Sequence, residues 1–153
     1  MSDIINPWAP HAPSLCPWMH EACIMLGVRE VRGPRHTAAI VELWKHLRAT
    51  VTDDETPWCA AFVGACLARA GYPHSGEAKA RSYLHYGAPV ESPRYGDIAV
   101  LWRGNKYGWR GHVGFFLRRE GRYIWLLGGN QRNRVCAARY PVGRLLAYRR
   151  PVL

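Results

Sequence analysis

Residues 56–71, TPWCAAFVGACLARAG, decide the fold of this 153-residue chain. Thr56 belongs to the residue types that cap helix N-termini, Pro57 suits a first helical position, and Gly71 suits the position just past a helix end. The residues between them are apolar almost all the way round, which is typical of a helix buried on every side. The sequence therefore predicts a central buried helix that carries Cys59 in its first turn.

Shorter helices are predicted on both sides of this segment. Residues 17–26 place apolar side chains at helical spacing and are followed by Gly27 as a stop. Thr37 is a candidate cap for a second helix, and residues 75–87 form a candidate fourth. Residues 1–13 contain three prolines and are predicted to be an extended arm.

The pattern changes after Pro93. Five short segments are rich in β-branched and aromatic residues and are separated by turns that contain glycine, which favours antiparallel strands. Their sequences are DIAVLW, HVGFFL, YIWLL, RVCAARY and RLLAYRR. Helices followed by an antiparallel sheet indicate an α+β fold, and the length fits one catalytic domain over residues 1–153.

Composition excludes several classes of protein. At 48% hydrophobic residues the chain can build a core, and no apolar run is long enough for a membrane span. The N-terminus has neither the basic nor the apolar region of a signal peptide, so synthesis in the cytoplasm is expected. There is no HExxH motif and no clustered set of His and Cys ligands, so no metal or cofactor is expected.

The net charge of +10 is concentrated in one part of the chain. Residues 94–153 hold thirteen Lys/Arg and only two Asp/Glu. Such a surplus favours an anionic partner such as nucleic acid, lipopolysaccharide or the bacterial cell wall. An arginine-rich solvated face that only keeps the protein soluble explains the same charge equally well.

Five cysteines are present, and the paired spacings of seven residues are too long for a disulfide along one helix. Free thiols are therefore expected, and one of them is a candidate nucleophile. Cys59 stands out because the free N–H groups of a helix start favour a thiolate. A base and an orienting group are needed beside it. His112, between glycines at a strand start, and Asn130, at the end of the next strand, are the candidates.

Each of these residues also fits a purely structural role. A cysteine in an apolar helix is usually core, a histidine in a strand is usually a packing or surface residue, and Asn130 after two glycines suits a turn. The chain order Cys, His, Asn is the one found in papain-like enzymes. Residues next to the candidates, namely Glu55, Trp58 and Gln131, are predicted to contact substrate.

Several blocks of the sequence, in order, resemble a phage-associated branch of the CHAP and NlpC-type peptidoglycan hydrolases. The resemblance spans about residues 15–151. The blocks are DETPWCAAFV, ARSYLHYG, YGDIAVLWRG, GHVGFFL, LLGGNQ and LLAYRRP. Many CHAP domains carry a glutamate where this chain has Gly128. The resemblance therefore implies a nucleophilic Cys59, a basic His112 and an orienting Asn130, with Gln131 as the substitute for Asn130.

The function implied is hydrolysis of an amide bond in the stem peptide of peptidoglycan, by an endopeptidase or an N-acetylmuramoyl-L-alanine amidase. The resemblance implies a papain-like fold in which the helix that carries the nucleophile packs on the sheet. A monomeric phage endolysin that lyses the host is the expected setting, with its site of action in the periplasm or cell wall. Two alternatives stay open: an injected antibacterial amidase effector, and a basic nucleic-acid-binding phage protein without enzymatic activity.

Overall fold

The computed structural model describes residues 16–29, 38–43, 45 and 58–153. Its α-helices are α1 (Pro17–Ile24), α2 (Ala38–Leu43) and α3 (Cys59–Arg69), and 3-10 helices lie at Ala80–His85 and Val142–Arg144. The predicted arm at 1–13 and the predicted cap Thr37 lie outside the described residues. No helix in the described ranges is long and apolar enough to cross a membrane.

Six strands follow, and they form one antiparallel sheet in the order β1-β6-β2-β3-β4-β5. Their bounds are β1 (Ala88–Val90), β2 (Ile98–Trp102), β3 (Gly111–Glu120), β4 (Tyr123–Gln131), β5 (Arg134–Pro141) and β6 (Leu145–Arg150). The five predicted segments match β2 to β6, and the predicted α+β class is confirmed. The short strand β1 was missed because three residues give no alternating pattern.

Helix α3 is buried in the core, in agreement with its apolar sequence. Its residues from Cys59 to Leu67 are all buried, and the helix packs against β3, β4 and α1. Its C-terminus is closed by Gly71 at a positive φ of 79°, with hydrogen bonds from Gly71 N to Ala68 O and from Tyr72 N to Leu67 O. This paired pattern is a Schellman motif, so the glycine stop signal is confirmed.

The start of α3 differs from the prediction. The helix begins at Cys59 with Trp58 in the N-cap position, later than the sequence predicts, and the predicted cap Thr56 lies outside the described residues. Trp58 is fully buried, and its ring lies where a side chain on Gly129 would otherwise project. Packing of this large ring offers a physical reason for the later start, because tertiary burial often overrides local capping preferences. The sulfur of Cys59 therefore lies at the very start of the helix.

The fourth predicted helix, over residues 75–87, is also shorter than expected. Only Ala80–His85 is helical, and that turn is 3-10. Tyr83 anchors it, since its ring is fully buried and its hydroxyl accepts a hydrogen bond from Ser75 N at 3.4 Å. Gly87 ends the segment at a φ of 59°, where a Cβ would lie 2.1 Å from Arg150 O.

Candidate active site

Cys59 lies at the junction of α3 and β3. Its side chain is 3% exposed, and the backbone N–H groups of Val113 and Ala60 face its sulfur. Val113 lies beyond the last β3–β4 pair, Phe115↔Leu127, so β4 does not pair with it. Since Val113 directly follows His112 in β3, this contact brings the two candidate catalytic residues to the same place.

Burial is the largest influence on the Cys59 thiol, and it raises the pKa. The N–H groups of Val113 and Ala60 and the charge of Arg103 act in the opposite direction. Donors aimed at the sulfur stabilise a thiolate once the proton has left. Burial, as the largest influence, therefore favours the neutral thiol as the resting form of Cys59.

His112 is 5% exposed, and burial lowers the pKa of its imidazole to about 4. The hydrogen bond with Gln131 opposes this shift, whereas the nearby charges of Arg103 and Arg144 add to it. A positive charge on the ring is unfavourable next to two guanidinium groups. The imidazole is therefore neutral at physiological pH, as a general base must be before it accepts a proton.

The residue that contacts the ring is Gln131, not Asn130. Gln131 Oε1 lies 2.9 Å from His112 Nε2, and the glutamine is itself only 2% exposed. Continuing the β3–β4 pairing from Phe115↔Leu127 would have placed Asn130 opposite His112. The expectation for Asn130 rested on such regular pairing.

A β-bulge explains the change. The register between β4 and β5 shifts between Gly128 and Gln131, and Asn130 takes a positive φ of 57°. One extra residue in a bulge moves the following side chain to the other face of the strand. Gln131 is thereby turned towards His112. A Cβ on Gly128 would lie 2.5 Å from Gln131 Oε1, so the glutamine amide fills the space beside that glycine.

The orientation of the Gln131 amide determines which nitrogen of His112 carries the proton. Gln131 Nε2 donates to two backbone carbonyls, Cys136 O at 2.6 Å and Leu126 O at 3.2 Å. The amide oxygen must then be the atom that faces the ring, and it can only accept. His112 therefore donates through Nε2, which leaves Nδ1 free of a proton and able to act as a base.

Tyr140 on β5 is a further contact that sequence reasoning missed. Its hydroxyl lies 3.2 Å from His112 Nε2, and the two ring centroids are 5.1 Å apart. The guanidinium of Arg144 lies 5.5 Å from the centroid of the Tyr140 ring, and Arg144 Nε donates to Trp102 O at 3.1 Å. Tyr140 pairs with Ile124 in the β4–β5 ladder and follows His112 by 28 residues, and no local motif marks it.

Of the residues predicted to contact substrate, the two that the structure describes, Trp58 and Gln131, are both buried. Trp58 is fully buried against Gly129, so it packs in the core and does not present its ring to a ligand. Gln131 is buried as well and acts on His112. Glu55 lies outside the described residues. In the described ranges no group of three or more His, Cys, Asp or Glu side chains could hold a metal ion.

Comparison with models of known protein families shows the family to which the chain belongs. Residues 51–130 match the CHAP domain model, a segment that contains both Cys59 and His112. The chain belongs to the CHAP domain family. CHAP domains are typically amidohydrolases or peptidases that depend on cysteine and histidine, so peptidoglycan is consistent as a substrate. No curated protein matches the chain. In this CHAP domain the matched segment stops one residue before Gln131.

The first prediction concerns the acid limb of the pH–activity profile, where activity falls as the pH is lowered. The rate constant kcat/KM reports the ionisation of groups in the free enzyme, and a base with a pKa of about 4 stays unprotonated far below the ordinary value of 6.5. Activity should therefore persist at pH 5 and fall only as the pH approaches 4. Arg144→Gln should move the limb to higher pH, because it removes a charge that opposes protonation. An acid limb at pH 6.5 in the wild-type enzyme would contradict this assignment.

Proposed function

We propose that the protein hydrolyses an amide bond in the peptide part of bacterial peptidoglycan, with Cys59 as nucleophile and His112 as general base. The observation that carries the proposal is the His112–Gln131 contact. This contact supports a His112 imidazole whose Nδ1 carries no proton. The next residue in the strand, Val113, contacts the sulfur of Cys59. Family membership supports the same class of reaction.

The proposed reaction has two halves. Cys59 gives its proton to His112 Nδ1 and its sulfur attacks the carbonyl carbon of the amide, which forms a tetrahedral intermediate. His112 then passes the proton to the departing nitrogen, the C–N bond breaks, and a thioester remains on Cys59. Water, deprotonated by His112, attacks the thioester and releases the new carboxylate and the free thiol.

Backbone N–H groups support the charged intermediate in this proposal. Ala60, in the first turn of α3, and Val113 both direct an N–H towards the Cys59 sulfur. A substrate carbonyl bonded to that sulfur would bring its oxygen close to the same donors. Preorganised donors at such a position are often the largest single contribution to catalysis.

Gln131 and Tyr140 are proposed as the positioning residues. Gln131 accepts the Nε2 proton and so keeps His112 in one tautomer, while Tyr140 packs against the ring and places its hydroxyl at the same nitrogen. Burial raises the pKa of Tyr140, so its hydroxyl stays protonated at neutral pH. Neither residue needs to exchange a proton with substrate.

The proposed setting is phage-driven lysis of a host cell, with action in the periplasm or cell wall by a monomer. The ordered sequence blocks that resemble phage-associated enzymes support it. The scissile bond is either inside the stem peptide or between muramic acid and L-alanine. The positive surplus of residues 94–153 supports attraction to the anionic cell envelope.

Mass spectrometry of digested peptidoglycan tests the function. Purified sacculi treated with the protein should release fragments with one new amino terminus and one new carboxylate per cut, whose masses identify the bond. Sugar-ring products without new amino termini would contradict amide hydrolysis.

The salt dependence of digestion tests the attraction to the envelope. Attraction between exposed charges is screened within about 10 Å at 0.1 M salt. High salt should therefore slow digestion of sacculi more than cleavage of a soluble muropeptide. Equal salt dependence of the rates on sacculi and on the soluble muropeptide would contradict the attraction to the envelope.

A further inference from the structure

The hairpin between β2 and β3 carries at its tip two aromatic side chains that are not packed in the core. The tip consists of residues 104–109, GNKYGW. Tyr107 is 88% exposed and Trp109 is 73% exposed, and they are the most exposed aromatic residues of the described chain. Tyrosine and tryptophan are enriched at binding interfaces, so such an exposed pair is a candidate ligand-binding surface.

The backbone of the tip is held in a single shape by Arg81. This guanidinium donates three hydrogen bonds of 2.9 Å, to the carbonyl oxygens of Asn105, Lys106 and Arg110. Within the tip, Asn105 Oδ1 accepts from Tyr107 N at 2.8 Å. These bonds order the backbone without involving either ring, so the rings are presented on a preorganised support and little entropy is lost when a ligand binds.

The tip extends from the end of the sheet that carries His112. Trp102 pairs with Gly111 at the base of the hairpin, and the next pair along is Leu101↔His112. Trp109 is three residues from His112, which limits their Cα atoms to roughly 10 Å apart. A polymer bound on the tip therefore lies within reach of the candidate active site.

The chemistry of the tip selects among polymers. GNKYGW contains no Leu, Ile, Val or Phe, so it lacks the broad apolar face by which an amphipathic segment lies in a membrane surface. Flat aromatic faces bordered by polar groups fit the C–H face of a sugar ring, whose hydroxyls stay in water. The cationic Lys106, 5.8 Å from the Tyr107 centroid, suits the carboxylates of stem peptides attached along a glycan.

We propose that Tyr107 and Trp109 form a carbohydrate-binding platform that holds the glycan strand of peptidoglycan while an attached stem peptide enters the site at Cys59. The proposal rests on the proposed function for its substrate, and it deepens that function by dividing recognition between sugar and peptide. Specificity for the polymer then comes from the hairpin tip, and bond breaking comes from the buried residues.

The test compares the Tyr107→Ala/Trp109→Ala double variant with the wild-type enzyme on two substrates. One is a soluble glycan fragment that carries stem peptides, and the other is the same stem peptide as an amide without sugar. The double variant should lose about tenfold or more in kcat/KM on the first, since it removes both ring faces on which a sugar could stack. It should keep the wild-type rate on the second. Tyr123→Ala is the matched control, because Tyr123 is partly exposed on the hairpin at the other end of β3.

A direct binding measurement separates this proposal from the proposed function. Titration with peptide-free amino-sugar oligosaccharide should change the Trp fluorescence of the wild-type protein and not that of the double variant. This result would stand even if the protein cleaved no peptidoglycan. Arg81→Gln, which leaves both rings in place but removes the support, should weaken the same binding.

Three results would overturn the proposal. The first is an equal loss on the sugar-free amide, which would mean that the tip acts on the catalytic residues themselves. The second is no loss on either substrate. The third is unchanged oligosaccharide binding in the double variant together with loss of binding to single-stranded DNA or to anionic phospholipid vesicles, which would assign the tip to a different polymer.

Discussion

Replacement of Cys59 by alanine or serine should abolish peptidoglycan hydrolysis and leave the fold intact. Loss of a covalent nucleophile from a unit of this kind lowers kcat by several orders of magnitude, roughly 10⁴-fold or more. The cost in stability should be small for serine, because the change is one atom and the N–H groups of Val113 and Ala60 can face the new oxygen. The rate of release of new amino termini from purified sacculi measures the first effect, and thermal unfolding measures the second.

Cys66→Ser is the matched control for this experiment. Cys66 lies on the same helix, is fully buried, and has its pKa raised by that burial. A serine there should lower stability by about 1–2 kcal/mol, since a hydroxyl replaces a small apolar group in the core. Hydrolysis by the folded variant should stay near the wild-type rate. Near-normal digestion by Cys59→Ala would remove Cys59 from the mechanism. A folded but inactive Cys66→Ser would show that the loss is not specific to Cys59.

Gln131 should prove more important for activity than Asn130. Gln131→Ala removes the acceptor at His112 Nε2 and frees the ring to take the wrong tautomer, which should lower kcat about 10²-fold to 10³-fold. Asn130→Ala should keep most of the activity, although its φ of 57° makes alanine somewhat strained there. Steady-state kinetics on a soluble muropeptide, with KM and kcat separated, is the measurement.

Gln131→Glu is a second, sharper variant at the same position. A carboxylate has no N–H to donate to Leu126 O and Cys136 O, so one of its oxygens would face two carbonyl oxygens in a buried site. We expect this variant to lose about 2–3 kcal/mol of stability at neutral pH. The remaining carboxylate oxygen beside His112 should also raise the pKa of the imidazole and move the acid limb of activity upwards. A stable, fully active Gln131→Glu enzyme with an unchanged pH profile would contradict the role assigned to the amide.

The fold was largely predictable because its signals are local. The all-apolar helix with a glycine at its end needed only a few residues to be recognised, and Gly71 indeed closes α3. Alternating apolar strands separated by glycine-rich turns were equally visible. The local signals did not predict the start of α3 correctly. The helix begins at Cys59, after the buried Trp58, and not directly after the capping signal in the sequence.

The sequence by itself determined the α+β class, the strands β2 to β6, and the position of Cys59 at the beginning of a buried helix. It also singled out His112, since a histidine between glycines at a strand start is a local pattern. Only the tertiary structure decided that Gln131 faces the ring, that Tyr140 packs beside it, and that Asn130 does not. The reason is that side-chain direction in a sheet depends on register, and a bulge of one residue reverses it. Register is set by pairing between strands, which no single strand encodes.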